Sequence, residues 1–135
     1  MRNDRPPGLG VPDVQQALAL YAALMERLAV ASPAAADEAR LQSSLDRAQQ
    51  MAEQQRVDIV TLASSLLFGL IKDRPFGPQS AQAGMAITLA FLARNGLAVD
   101  VADEELVGVG RAIAQGEVYT AMVEMWLRDS LRRVR

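Results

Sequence analysis

The segment 81–92 constrains the fold more than any other, because it would be apolar on every side of a helix. Its only strongly polar residues are Gln82 and Thr88, and Asn95-Gly96 then supplies a stop for a helix. A helix without a polar face must be covered by other elements. We therefore expect a buried central helix that starts at position 79 or 80.

The length and composition favour a single helical domain around that helix. A chain of 135 residues can build one sizeable core, and its aromatic content of 4% is low for a sheet protein. No segment alternates as a paired strand would, and Leu97–Val99 is expected only as a short extended connection. We predict an all-α fold, a six-helix bundle over residues 13–135, preceded by a flexible arm at residues 1–12 that is rich in Pro and Gly.

Apolar residues recur at three- and four-residue steps, which sets the expected helices. The loop from Asp73 to Pro78 is expected to be non-helical, because Pro75 and Pro78 favour extended conformations in the residues before them. Leu89 and Leu92 are expected in the core, and Trp126 in the core or an interface. The six helices are expected at about residues 14–31, 37–55, 57–72, 80–94, 103–115 and 118–131.

Several residue types are missing, and their absence narrows the chemistry. The chain has no Cys and no His, which excludes disulfides, thiolate catalysis, histidine general bases and the usual zinc sites. The net charge is −2, so the chain lacks the excess of basic residues that is typical of a nucleic-acid-binding protein. Arg128, Arg132, Arg133 and Arg135 cluster at the end, where we expect a last helical turn and a tail. No apolar run is long enough for a membrane span and no signal peptide is evident, so a cytoplasmic location is expected.

Four phrases of the sequence stand out by their order and spacing along the chain. They are Asp37-Glu-Ala-Arg-Leu-Gln-Ser-Ser-Leu45, Arg74-Pro-Phe-Gly-Pro-Gln-Ser-Ala-Gln82, Leu89-Ala-Phe-Leu-Ala-Arg-Asn-Gly96 and Ala114-Gln-Gly-Glu-Val-Tyr-Thr120. Together they resemble the Fic/Doc family, and within it the short bacterial death-on-curing toxins. The likeness covers residues 13–131 and implies a single all-helical domain. The family's signature loop, His-Pro/x-Phe-x-Asp/Glu-Gly/Ala-Asn-Lys-Arg, lies just before its central helix.

The loop departs from the family pattern at the base and at the metal ligand. Arg74 stands where the family has the His that activates a target hydroxyl, and arginine stays protonated in proteins. Pro78 stands where the family has an acidic Mg²⁺ ligand. Only Pro75 and Phe76 keep the family residues, and the resemblance implies that they seat the loop by packing.

The phosphate-binding half of the loop also departs from the pattern. Gly77 occupies a variable position, whereas Gln79 replaces the small residue of the anion-binding turn and Ser80 replaces the Asn. Ala81 and Gln82 replace the Lys and Arg that neutralise nucleotide phosphates. Phosphoryl and nucleotidyl transfer depend on such positioned charge and metal.

These departures favour a pseudoenzyme of toxin–antitoxin ancestry that needs no cofactor and binds another protein, such as a small antitoxin-like helix or a regulator. The alternative is a divergent toxin that transfers AMP or phosphate from a nucleotide to a protein hydroxyl, with chemistry around Lys72, Asp73, Arg74 and Ser80. We favour Ser80 as a helix N-cap, and Lys72 and Asp73 as residues of a helix end and a loop.

Two surfaces are candidates for that partner. The first is the loop, where Lys72, Arg74 and Ser80 would contact a partner or an anion beside free helix N–H groups, with Lys72 and Arg74 as the only cations. The second is a face of the first two helices with Tyr21, Met25 and Gln49–Gln55. We favour the loop, although it would also be explained as a simple cap on the central helix.

Overall fold

The computed structural model describes residues 10–54 and 57–134, and within them six helices pack around one core. The all-α prediction is confirmed. The elements, in chain order, are α1 Val14–Arg27, α2 Glu38–Ala52, α3 Ile59–Lys72, a 3-10 turn at Gly77–Gln79, α4 Ser80–Arg94, β1 Leu97–Val99, α5 Asp103–Ala114, α6 Thr120–Ser130 and β2 Leu131–Arg133.

The first three helices each begin at an aspartate that binds the backbone of the first turn. The Asp13 carboxylate accepts from the Gln16 N–H at 2.8 Å, and the Gln16 side chain accepts from the Asp13 N–H at 2.9 Å. Asp37 caps α2 in the same way, and Asp58 accepts from the Thr61 N–H at 2.8 Å to cap α3. These bonds satisfy donors that the helix itself leaves unpaired.

Helix α4 is the centre of the bundle, as predicted. It packs against α1, α3, α5 and β1, and its contact with α3 is the most extensive in the molecule. Gly84 allows that close approach, because a Cβ built there would lie 2.9 Å from Cγ1 of Ile71. Leu92 is fully buried, whereas Leu89 is only half-buried, so the prediction that both are core residues holds fully for Leu92 alone.

A short antiparallel ribbon of β1 and β2 corrects the prediction of a protein without strands. Leu97 pairs with Arg133, and Val99 pairs with Leu131. The sequence placed Leu131 in the last helix and Arg132 and Arg133 at its end or in a tail, which is wrong for all three. Strands of three residues are too short to show an alternating pattern. The expected extended conformation of Leu97–Val99 is confirmed, but its pairing with the end of the chain was not predicted.

The remaining differences concern helix ends and termini. Helix α1 ends at Arg27 and not just before Ser32, because Leu28 caps it and Ala29 has a positive φ of 55°. Helix α2 ends at Ala52, and the expected end at position 55 lies outside the described residues, as do positions 1–9 of the expected arm and Arg135. Within the described ranges, no helix is long and apolar enough to cross a membrane.

Candidate functional site

The candidate site is the loop that joins α3 to α4. It begins at Arg74, whose φ of 55° is unusual for a residue other than glycine and costs about 1–3 kcal/mol. This turn directs Pro75 and Phe76 into the core, where both side chains are buried. The guanidinium of Arg74 stays exposed. The sequence prediction that Pro75 and Phe76 seat the loop by packing is therefore confirmed.

The buried part of the loop is bound to the connection between α1 and α2. The Phe76 ring stacks on Tyr21 with ring centroids 4.4 Å apart. The Tyr21 hydroxyl donates to the Ala34 carbonyl at 2.6 Å, and the Pro75 carbonyl accepts from the Asp37 N–H at 2.7 Å. Burial raises the pKa of Tyr21 above its ordinary value, because the phenolate would lose its hydration.

This arrangement corrects the second candidate surface. Tyr21 and Met25 were expected on an exposed face of the first two helices, but their side chains are 7% and 2% exposed. They belong to the core beneath the loop and cannot receive a partner helix. Of the Gln-rich stretch on that face, Gln49 is half-buried and Gln54 is exposed, and Gln55 lies outside the described residues.

The end of the loop contains a 3-10 turn, although the segment was predicted to be non-helical. Pro78 fits the second position of this turn, because its missing N–H is not needed there. The Gln79 N–H donates to the Phe76 carbonyl at 3.1 Å, and the Ser80 N–H donates to the Gly77 carbonyl. Two donors expected to be free for an anion are thus already bound within the turn.

Ser80 is not the N-cap that the sequence suggested. It is the first residue of α4, and its hydroxyl accepts a hydrogen bond of 3.0 Å from the buried N–H of Phe76. Gln79 occupies the cap position without capping the helix, and its side chain accepts from the Ala34 N–H at 3.4 Å. Ser80 is 2% exposed and so is unsuited to contact a partner.

The positions left at the surface of the loop are few. Arg74, Pro78 and Gln82 are exposed, whereas Gly77 and Ala81 are half-buried and Ala81 lies against Gly110 of α5. Lys72, the last residue of α3, is also exposed. Its ammonium lies near Gly116, two residues after the end of α5, where a built Cβ would be 3.6 Å away. A cation is favoured close to that helix end.

A polar cluster between α2 and the end of α3 was missed by the sequence analysis. The Asp73 carboxylate accepts from the Ser44 hydroxyl at 2.5 Å and forms an ion pair with Arg47. The Asp73 carbonyl accepts from the Arg40 guanidinium at 3.3 Å. Arg40 and Arg47 are seven residues apart on one face of α2, a spacing that could have suggested a shared role.

This cluster changes the electrostatics expected near the loop. Lys72 and Arg74 are not the only cations there, because Arg40 and Arg47 line a depression of about 280 Å³ together with Ser43 and Asp73. Arg47 is partly neutralised by Asp73. Lys72 and Arg74, in contrast, form no side-chain hydrogen bond or ion pair with other described residues.

A second charged network lies at the start of α3 and is far from the loop in sequence. Arg128 donates to Asp58 at 3.0 Å and to Glu124 at 2.8 Å, and the Thr61 hydroxyl donates to Glu124 at 3.2 Å. The hydrogen bond from the Thr61 N–H, followed by that from Arg128, lowers the pKa of Asp58. This network joins α3 to α6.

The loop does not fit a nucleotide and Mg²⁺. Pro78 has no side-chain ligand, Ala81 has no charge, and Gln82 is neutral. In the part of the chain that the structure describes, no group of three or more His, Cys, Asp or Glu residues is placed to hold a metal ion. The residues instead form a loop seated by buried packing, and the two cations near its start, Lys72 and Arg74, pair with no other residue of the described part of the chain.

Compared with models of known protein families and with curated proteins, the chain matches none.

Proposed function

We propose that the chain is a Fic/Doc-like pseudoenzyme that has lost transfer chemistry and works by binding another protein beside the loop between α3 and α4. Its ancestry would be that of a toxin–antitoxin system, and its partner a small antitoxin-like helix or a regulator. The observation that carries the proposal is the contrast within one loop. Its packing residues are buried and ordered against α1 and α2, while its chemical positions hold residues that cannot do the family's chemistry.

The lost groups are too many for a weak enzyme to replace. A protonated Arg74 cannot act as a general base, and Pro78 cannot hold a metal. Each electrostatic group in such a site contributes about 2–4 kcal/mol to the transition state. Restoring one of them, as in Arg74→His, is therefore expected to give no transferase activity.

The binding surface would consist of the exposed residues at and beside the loop. Lys72 and Arg74 have no counter-ion among the described residues, so they are available to an acidic partner. Gln82 is exposed on the first turn of α4 and adds a neutral donor and acceptor. An acidic or amide-rich partner surface fits this set better than a free anion does, because the turn already uses the N–H groups of Gln79 and Ser80.

Site-specific photocrosslinking in the native host tests this proposal. A photoreactive residue is placed at Gln82, and a matched one at Gln42, which is exposed on α2. We expect one discrete protein adduct from position 82 that position 42 does not give. The adduct should weaken when Lys72→Glu and Arg74→Glu are combined while the fold is intact. Equal adducts from both positions, or no effect of the charge reversal, would show that the loop is only a cap on α4.

A further inference from the structure

The hairpin of α5 and α6 carries an apolar groove that the function proposed above does not use. Helix α6 runs back along α5, so that the end of α6 lies beside the start of α5. There Trp126 donates a hydrogen bond of 2.7 Å from its Nε1 to the carboxylate of Glu105. The groove has a volume of about 340 Å³. Its lining includes Gly108 and Ala112 of α5 together with Val118, Met122 and Trp126.

Large exposed apolar side chains are concentrated at the start of α6, the segment that also supplies the groove residue Met122. In residues 10–54 and 57–134, six large hydrophobic side chains are exposed, and three of them lie within one seven-residue stretch. Tyr119 is 76% exposed, Met122 is 48% exposed and Met125 is 67% exposed. Contiguous exposed apolar surface marks interaction sites, and methionine adapts well to varied partners.

The charge around the groove is mainly negative. Residues 103–130 contain six acidic and two basic residues, a net charge of −4, whereas the whole chain carries −2. Arg128 and Glu124 are paired with each other, and the rest of the stretch still carries five acidic residues and one basic residue. Glu105 lines the groove itself, and Glu117 directly precedes the lining residue Val118. A cationic partner is therefore favoured, and an acidic one is repelled.

The lining also favours a helical partner over an extended peptide. Most of its residues lie on the helices α5 and α6, whose backbone N–H and C=O groups are bound within the helices and offer no free row to a partner. An extended peptide would leave its own backbone unpaired against this surface, whereas a helix satisfies its backbone internally. Helix α5 has 12 residues, so the groove matches about 18 Å of partner helix.

We infer that this groove docks an amphipathic helix of a partner protein, with a short apolar face and flanking Lys or Arg residues. Apolar anchors of the partner enter over Gly108 and Ala112, and its cations meet Glu105 and the other acids of the hairpin. The inference depends neither on Fic/Doc ancestry nor on the loop. Gly110, which packs on Ala81 near the loop, is separate from the lining residues Gly108 and Val109.

Synthetic helices without tryptophan provide the probes. One stapled peptide of about 14 residues carries Leu at i, i+3, i+4 and i+7 and Lys on its flanks. A second replaces each Lys by Glu, and a third keeps the Lys content but scatters the Leu residues. Trp126 is the only tryptophan of the chain and lines the groove, so its fluorescence reports occupancy directly.

We expect the first peptide alone to shift Trp126 emission, with a dissociation constant in the micromolar range that rises with salt, because charge attraction is screened. Gly108→Leu should weaken this binding by about tenfold or more, because it adds a bulky side chain to the lining of the groove. The variant should fold, since a Cβ at Gly108 meets open space. Gly108→Ala is the matched control and should bind nearly as well as the unmodified chain, and thermal melts verify both folds.

Several results would overturn the inference. Equal binding of the Lys and Glu peptides would remove the charge complementarity, and unchanged binding by Gly108→Leu would place the peptide elsewhere. No shift at millimolar peptide would mean that the groove docks no such helix. Light scattering that shows a dimer, dissociated by Gly108→Leu, would assign the groove to a second copy of this chain. None of these outcomes affects the crosslinking test at Gln82, so the two proposals fail separately.

Discussion

The backbone N–H of Phe76 donates to the hydroxyl of Ser80 at 3.0 Å, and this bond ties the buried turn of the loop to the first residue of α4. The same Phe76 ring stacks on Tyr21 of α1. Ser80, which the proposed Fic/Doc likeness aligns with an Asn, thus holds the loop in place. Through these contacts the loop connects α1, α2 and α4.

Ser80→Ala should destabilise the protein by about 1–3 kcal/mol, because it leaves the buried Phe76 N–H without an acceptor. The measurement is urea unfolding followed by circular dichroism. Ser43→Ala is the control, since Ser43 is exposed and only accepts a long bond of 3.5 Å from Arg47. Equal stability of the two variants would mean that the Ser80 hydroxyl does not support the loop.

Phe76→Ala should cost about 3–5 kcal/mol, because it removes a fully buried ring and its stack on Tyr21. Tyr119→Ala, which truncates an exposed ring, should change the free energy of unfolding by less than about 0.5 kcal/mol. Thermal and urea unfolding of the pair compare the two. A loss below about 1 kcal/mol for Phe76→Ala would contradict the seating of the loop.

The raised pKa of Tyr21 predicts a loss of stability in alkali. Its stabilising effect is complete below the ordinary tyrosine pKa of about 10 and is lost as pH rises above it, because the unfolded chain ionises first. Tyr21→Phe keeps the stack on Phe76 but cannot ionise. The stability advantage of the unmodified chain over Tyr21→Phe should therefore shrink between about pH 9 and pH 11. A constant difference over this range would contradict the burial of the hydroxyl.

Asp58 should make the protein sensitive to acid. Its pKa is lowered by the Thr61 N–H and by Arg128, so its contribution is present above the ordinary aspartate pKa and is lost as pH falls through the lowered value. Asp58→Ala should cost about 1 kcal/mol at neutral pH through loss of the cap. Asp58→Asn keeps a side-chain cap, so it should lose less stability at neutral pH than Asp58→Ala does. Its free energy of unfolding should also depend less on pH below about 4, because the amide does not titrate. An unchanged acid profile in Asp58→Asn would rule out this carboxylate as the sensor.

Two glycines should respond in opposite ways to alanine. Gly84→Ala should destabilise by about 1–3 kcal/mol, because the new methyl group meets Ile71 across the tightest helix contact of the bundle. Gly108→Ala meets open space and should be neutral or stabilising by up to about 1 kcal/mol, because alanine favours the helix. Calorimetric melting temperatures rank the two variants, and the reverse order would refute the packing of α3 on α4.

The helices were predictable because their signals are local. Asp13 and Asp37 indicate the N-caps of α1 and α2. The apolar segment after Ser80 requires burial and therefore predicts α4. The long-range partners were not predictable. Nothing in the sequence indicates that Ser80 binds Phe76 instead of capping α4, or that Leu131 continues into a strand that pairs with Val99.

The sequence predicted where the candidate site lies along the chain, but not which of its residues are exposed. The Pro and Gly residues mark the loop, whereas the likeness to the Fic/Doc family, on which the changed chemical positions depend, stays a prediction. Which residues stay exposed depends on packing across the fold: Tyr21 is polar at its tip but is buried by Phe76. The link between Asp73 and Arg47 joins two helices, and single-helix patterns carry no information about it.

Isothermal titration of the purified protein with ATP and Mg²⁺ tests the central claim most directly. The loop lacks a metal ligand at Pro78 and phosphate-binding cations at positions 81 and 82. We therefore predict no binding heat at nucleotide concentrations up to about 1 mM, which corresponds to a binding free energy weaker than about −4 kcal/mol. A dissociation constant in the micromolar range, dependent on Mg²⁺, would contradict the pseudoenzyme and favour a divergent transferase.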